Sequence, residues 1–496
     1  MVLNSSPLVD VLEERMLRSA QHERIGFLSN QRGQSFLVGE MRSLISKFAQ
    51  LMAVWAVAAP LSAAGLRAGV ARADITPPTD APMYGYMNRT QTATGRMDPL
   101  EARILVLGAG EQKLALITLD LGRDFGPASL AKLEETVRRT TGISHFFITA
   151  SHTHSGPNIL DEYPLGRTPE WETAALEKIA QAVEEANARL EDVRLGVGRG
   201  RVYIGYNRRV IHPDGTVTML WTNPGRQPTA PLDPTVTVLR LDRADGAPLA
   251  VLVNYACHPV VFGADNLEYS ADFVGVMRKT LEEGFGGKPL CLFLQGGDGD
   301  INPYDATTPI NQDAAKKRDW TGETLGREAL RVAQHIRSEP PREPTLQFAE
   351  DILQVPIRWD AKKFRDGLLQ TFGPRVFEDH AELVNHDPPP RALPMKLVTV
   401  LLNRRIALVG LPGEPFVDFQ INFRDRCSVP YAFFAGYTNG YYDYFPTIQA
   451  TAEGGYGAAD SNTYVAPGTG ERMVNLALLR LYEMLGRLSG VPEDLK

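Results

Sequence analysis

The sequence predicts an α/β protein: a mixed sheet core flanked by helices, with the active site at the carboxyl ends of the strands. Two observations carry this expectation. Apolar, β-branched runs of strand length alternate with segments whose apolar residues recur at helical spacing. In addition, five of the apolar runs break off abruptly into polar loops punctuated by Gly and Pro. Those loops hold most of the chemically versatile residues: His152 and His154, His258, Asp298 and Asp300, Glu414, and Tyr441 with Tyr444. Helices cover the faces of such a sheet, so its ligand crevice lies beyond the carboxyl ends of the strands, where residues far apart in the chain can meet.

The bounds are those of an ordinary folded protein. The chain has 496 residues, 43% hydrophobic and 22% charged, enough for one large domain or two. A net charge of -7 and a pI near 5.8 give no basic footprint, so nucleic acid is not expected as a partner. Cys257, Cys291 and Cys427 are scattered without C-x-x-C spacing, which points to buried free thiols rather than to disulfides or a thiolate metal site.

From Met41 a short cationic head, an apolar stretch from Phe48 to Leu61 and the small residues Ser62-Ala63-Ala64 have the layout of a secretory signal peptide, cleaved after about Ala64. Residues 1–40 then read as a non-functional upstream extension, and the protein is expected to be exported, to the periplasm or beyond. The apolar stretch is shorter than the roughly 20 residues of a spanning helix, so a membrane anchor is the weaker alternative.

In order, strands are expected at Leu66–Ile75, Arg103–Leu107 and Leu114–Leu119, a helix at Ala128–Thr140 and a strand from His145 to Ala150. A helix at Trp171–Leu190 precedes strands across Val193–Tyr206, Val236–Leu241 and Leu249–Tyr255. Helix Asp272–Glu283, strand Leu290–Leu294 and helix Glu323–Ile336 follow. A proline-rich connector, Pro340–Pro344, opens a looser region over 340–395 that is expected to form a small inserted subdomain or flap. Regularity returns with strands Leu397–Leu402 and Ile406–Val409, helix Phe416–Arg426, strand Ala432–Phe434 and a last helix over Gly470–Leu488.

The strand from His145 ends in Ser151-His-Thr-His-Ser-Gly-Pro, and residues two apart on an extended segment face the same way. His152 and His154 can therefore address one point. Two imidazoles, a carboxylate and a phenol at strand ends suit a divalent cation with N and O ligands, most simply zinc with an open position. Each residue taken singly is also compatible with a structural role; the repetition at five strand ends favours a metal site.

From about Gly69 onward the sequence resembles the neutral (non-lysosomal) ceramidases. The resemblance lies in Gly69-Val-Ala-Arg-Ala-Asp-Ile-Thr with Tyr84-Gly-Tyr, in the histidine motif just quoted, in Asn207-Arg208, in the strand from Asp233, in Leu411-Pro-Gly-Glu414 and in Asn439-Gly-Tyr-Tyr-Asp-Tyr444. It implies a catalytic domain over residues 65–496; the immunoglobulin-like domain that follows this part in the family is not expected here, a departure from the family pattern. It also implies zinc ligands at His152, His258, Glu414 and Tyr444, with His154 alongside. Arg208 becomes a candidate to stabilise an oxyanion, although a structural arginine is the competing reading. Asp120 is a weaker candidate. Where the family has G-D-V-S-P this chain has Gly299-Asp-Ile-Asn-Pro303, and the carboxamide of Asn302 cannot form an acyl-enzyme.

The expected activity is that of a secreted zinc-dependent amidohydrolase of sphingolipid or related lipid metabolism, cleaving an N-acyl substrate, ceramide-like or smaller, with metal-bound water. His154 is expected to carry the proton, and Arg208, Asn302 and Tyr444 to donate toward the oxyanion. Ser155 lacks the G-x-S-x-G elbow and ranks well below water as nucleophile. An esterase on the same zinc site and a non-catalytic metal- or lipid-binding homologue are the alternatives. The partner is a small-molecule or lipid substrate, with peripheral membrane contact; no pattern specifies an oligomeric state.

Overall fold

The computed structural model describes residues 65–160, 168–372, 386–488 and 490. The expected leader and upstream extension, residues 1–64, lie outside the described residues. The larger sheet has eight strands: β1 (Arg67–Asp74), β2 (Glu101–Ala109), β3 (Gln112–Leu119), β4 (His145–Ala150), β5 (Glu191–Arg201), β6 (Thr235–Arg243), β7 (Pro248–Tyr255) and β8 (Leu290–Gln295). Their spatial order is β8-β7-β6-β5-β1-β2-β3-β4. The pairs at the two edges, β3 with β4 and β7 with β8, are parallel, and the pairs between them are antiparallel.

A second sheet contains β9 (Leu346–Pro356), β10 (Ala392–Leu402), β11 (Ile406–Gly410) and β12 (Tyr431–Ala435), in that order, with β11 and β12 parallel. The core is therefore the expected mixed sheet, joined by a second, smaller mixed sheet. Alternation along the strands accounts for their packing. Leu105 and Leu107 of β2, Phe147 of β4 and Leu239 of β6 share one apolar cluster with Val398, Val400, Leu408 and Phe433 of the smaller sheet.

The alternate residues point outward onto helices. Ile104, Val106, Ile117 and Ile148 pack on α1 (Pro127–Thr141) and α2 (Glu170–Ala188). Val238, Val251, Val253 and Phe293 pack on α3 (Asp272–Gly284) and α4 (Ala314–His335). Between α4 and the end of the chain come α5 (Ala361–Phe372), α6 (Val417–Arg426) and α7 (Thr469–Met484). Leu397, Leu401, Val409 and Phe434 pack on α6 and α7. The layers run helix, sheet, sheet, helix.

Helix α4 begins at Ala314 rather than at the expected Glu323, because its first turns bury small residues, Ala314, Thr321 and Gly322, that give no apolar signal. The looser region over 340–395 opens with β9, which pairs along its length with β10, and continues into α5; residues 373–385 lie outside the described residues. All three cysteines are buried and free. Among the described residues no helix is long and apolar enough to cross a membrane.

Candidate active site

The five strand-end loops converge. Beyond β4, the main chain of Ser151 and His152 bonds to Leu119 and Leu121 at the end of the neighbouring strand β3. His152 itself adopts a positive φ of 68°, an uncommon conformation for a residue with a Cβ. Its Nδ1 lies 2.6 Å from the Gly122 carbonyl, and its ring stacks on Tyr437 at 4.2 Å between centroids. His154 Nε2 is 3.2 Å from His152 Nε2.

The loop before β2 lies against His154, and glycines permit it. Gly85 has φ +102°, and a Cβ there would sit 2.4 Å from the His154 ring; one on Gly122 would sit 1.9 Å from Tyr84. Arg89, fully buried, donates to the main-chain oxygens of His154 and Tyr84 and holds this loop in place.

Beyond β7, His258 is buried, with Nδ1 2.6 Å from the Asp298 carbonyl and Nε2 3.2 Å from Glu414 Oε2. The other Glu414 oxygen lies 3.6 Å from His152 Nε2 and accepts the Tyr441 hydroxyl at 2.6 Å. Gln295, at the end of β8, ties the two histidine loops together by donating to the carbonyls of Ser151 and Cys257.

The ligating atoms of His152, His154 and His258 lie within 4.8 Å of one another. A neutral imidazole carries one N–H. In His152 and His258 that proton belongs on Nδ1, which faces a carbonyl, so their Nε2 lone pairs turn toward each other and toward the Glu414 carboxylate. Electron-rich atoms converge in this way around a cation, and the N and O donor set fits a borderline divalent ion such as zinc.

Burial lowers His152 to about 4 despite the nearby Glu414 carboxylate, and burial likewise lowers His154. For Glu414, burial alone would raise the pKa; the imidazoles of His152 and His258 and the Tyr441 hydroxyl outweigh it and hold the group down to about 2. Neutral imidazoles beside an ionised carboxylate are the protonation states that a metal site requires.

Arg208 follows a short strand, Gly205–Asn207, paired antiparallel with Ile301–Pro303. The guanidinium is buried and donates to the Gly299 carbonyl at 2.6 Å, to the Tyr444 hydroxyl at 3.1 Å and to Asn302 Oδ1 at 3.3 Å. Its Nε has no hydrogen-bond partner among the described residues. Glu414 and Tyr444 are register partners in a two-residue parallel ladder, which brings the carboxylate and the guanidinium side of the site together.

Sequence reasoning thus named the imidazoles, the carboxylate, Arg208, Asn302 and Tyr444, and these gather in one place. Three placements differ from expectation. His154 stands among the ligating atoms as closely as the proposed ligands do. Tyr444 is hydrogen-bonded to Arg208, whereas the phenol on Glu414 is Tyr441. The Asn302 amide nitrogen, expected to donate toward an oxyanion, donates to the Trp221 carbonyl at 3.3 Å.

Asp300 and Asp120 are occupied elsewhere. Asp300 accepts from Asn207 and from the first amide of α6, and Asp120 holds Arg278 through two 2.7 Å bonds. Sequence reasoning missed Tyr437, Trp221 and Tyr456. Tyr437 donates to Asp298 at 2.7 Å, and burial raises that carboxyl to about 7. Trp221 and Tyr456 flank Arg208, with ring centroids 5.8 and 5.1 Å from its guanidinium carbon. All three lie in loops without periodicity; the aromatic run from Tyr437 to Tyr444 was the available signal.

Two facing mixed sheets with a buried cluster of imidazoles and a carboxylate at their strand ends define an α/β protein with a candidate metal centre. Residues 66–308 match the family model of neutral/alkaline non-lysosomal ceramidase, N-terminal. Neutral ceramidase of Pseudomonas aeruginosa is 25% identical over 320 residues, 61% of this chain and 46% of that protein. Neutral ceramidase of Mycobacterium tuberculosis is 26% identical over 285 residues, 51% and 43% of the two chains. The alignments span less than half the length of these curated relatives.

In fold, the crystal structure of neutral ceramidase from Pseudomonas aeruginosa matches with a TM-score of 0.68 at 21% identity, covering 87% of this chain and 77% of that one. A ceramidase complexed with C2 matches with the same TM-score at 20% identity, covering 87% and 78%. Residues 66–308 thus match the neutral/alkaline non-lysosomal ceramidase family, and the likeness in fold extends over 87% of the chain.

Proposed function

We propose that this protein is a metal-dependent amidohydrolase that cleaves the amide bond of an N-acyl lipid of the ceramide type. The observation that carries the reading is the convergence of the His152, His154 and His258 Nε2 atoms and the Glu414 carboxylate in one buried place. The match to the family supports amide hydrolysis over other reactions of such a centre.

His152, His258 and Glu414 would hold the ion, with Tyr444 a further candidate beside them. Backbone carbonyls fix both imidazoles in one tautomer, which aims Nε2 inward. When bound there, a divalent ion, for which the N and O donor set suits zinc, would supply a water of pKa lowered toward about 7 and polarisation of the substrate carbonyl. His154 is the proton carrier: its Nδ1 is buried without a hydrogen-bond partner among the described residues, so its tautomer is not fixed as the other two are. It takes a proton from the attacking water and delivers it to the leaving amine. Arg208 and Tyr444 donate to the oxygen that gains charge as the tetrahedral intermediate forms.

Asn302 stands at the position of the family serine and offers no nucleophile, so the reaction proceeds by direct attack of water. Export of the mature protein belongs to this reading and rests on residues 41–64 alone; amino-terminal sequencing of secreted material tests it. The function is tested by assaying N-acyl sphingoid bases, simpler fatty amides and matched esters before and after chelation. Amide cleavage lost on chelation and restored by zinc is the expected result, and full activity in metal-free protein would end the proposal.

A further inference from the structure

Asn302 and Trp221 are connected in a way that a nucleophilic role for position 302 does not require. The Asn302 side chain spans two groups: Oδ1 accepts from Arg208 at 3.3 Å, and Nδ2 donates to the main-chain oxygen of Trp221 at 3.3 Å. The flanking residue Leu220 is pinned on both sides, its amide donating to the Arg208 carbonyl at 2.8 Å and its carbonyl accepting the Tyr206 hydroxyl at 2.9 Å. The backbone that carries Trp221 is thereby fixed to the same short strand that presents Arg208.

Trp221 is 47% exposed. It is nevertheless held in orientation: Tyr456 meets it edge-on at 5.2 Å between centroids, and the Arg208 guanidinium lies 5.8 Å from it. The loop that carries Tyr456 is itself fitted closely, since Gly455 and Gly457 both have positive φ and a Cβ on Gly457 would lie 2.9 Å from Tyr444. An exposed aromatic ring, fixed in advance and in contact with the guanidinium of the reaction site, presents apolar surface to a ligand at low entropic cost.

We propose that Asn302 is a positioning residue that ties Arg208 to the Trp221 backbone, and that Trp221 is a preset platform for the acyl chain of the substrate at the mouth of the site. The proposal rests on the hydrolase reading for its substrate class.

The test compares wild type, Trp221→Ala, Trp221→Phe, Asn302→Ala and the double alanine variant on a long-chain (lauroyl) and a short-chain (acetyl) amide. In Trp221→Ala the preference for the long chain, as a ratio of kcat/KM values, falls about tenfold, through KM, as expected for losing most of one aromatic contact. Trp221→Phe restores most of it. Asn302→Ala lowers the same ratio, and the double variant lowers it no further than Trp221→Ala, because both act through one platform.

An unchanged ratio in Trp221→Ala, or independent losses that multiply in the double variant, would overturn the proposal. A binding arm separates it from the hydrolase reading: lauramide, added to each protein, shifts tryptophan fluorescence in wild type but not in Trp221→Phe. If no amide is cleaved and that shift is present, the reaction assignment fails while the platform stands. If amides are cleaved and the shift is equal in both proteins, the platform fails alone.

Discussion

His258 points its two ring nitrogens at opposite kinds of partner, Nδ1 at the Asp298 carbonyl 2.6 Å away and Nε2 at the Glu414 carboxylate 3.2 Å away. The carbonyl fixes the proton on Nδ1 and leaves Nε2 as a lone pair directed at an anion, which is stable when both coordinate a cation. His258→Ala should therefore abolish stoichiometric zinc binding, measured by atomic absorption after dialysis, and reduce amide turnover by at least roughly a thousandfold. Retained zinc in this variant would remove His258 from the ligand set.

Chelation supplies the thermodynamic counterpart. An ion that binds only the folded chain stabilises it by about 4 kcal/mol at a thousand times its Kd. Removing it should lower Tm by several degrees in scanning calorimetry, with recovery on adding zinc. A Tm indifferent to chelation would contradict a tightly held ion.

Tyr441 holds Glu414 Oε1 by a 2.6 Å bond. Tyr441→Phe keeps the ring and loses that bond, so zinc affinity is expected to fall by about 10- to 100-fold in a competition titration, as for other groups that orient a metal ligand. Unchanged affinity would mean that the ladder between Glu414 and Tyr444 positions the carboxylate unaided.

Arg208→Lys retains a charge but loses the planar fork that reaches Gly299, Tyr444 and Asn302 at once. The expected consequence is a fall in kcat of about a hundredfold with a small change in KM, the signature of an interaction made chiefly in the transition state. A change confined to KM would assign Arg208 to substrate binding.

Asp272, fully buried at the start of α3, is raised from 3.8 to about 6 by burial, which exceeds the opposing effect of the Phe273 and Phe262 amides. Between these values the folded state binds more protons than the unfolded one. This group's contribution is therefore fully present below pH 4 and is lost as pH rises through about 6. Urea denaturation of wild type and Asp272→Asn across this window should show their difference changing with pH in that sense; a flat difference would show that the carboxyl is not shifted.

Much of this architecture was legible in the chain. The strands that carry His152, His258 and Glu414 are continuous apolar runs because both their faces are buried, one against the second sheet and one against helices, and their abrupt polar ends mark the crevice. The pairing of two sheets was not legible, since a strand buried by a sheet and one buried by a helix read alike. Nor was the early start of α4, whose buried residues are small. Trp221, Tyr437 and Tyr456 escaped because loop conformation is set by particular hydrogen bonds, such as that of Asn302 to Trp221, which leave no periodic trace.

The amide group of Asn254 bonds to Leu294 in the larger sheet and, through both of its polar atoms, to Phe434 in the smaller one. One rivet thus joins the scaffold that presents the imidazoles to the scaffold that presents Glu414 and Tyr444. A fragment truncated after residue 308 would keep His152, His154 and His258 yet lack the anion they face, so proteolytic loss of the second half should silence the centre without touching any of those three. On the proposed hydrolase reading, turnover would also gauge whether both halves of the chain have folded together.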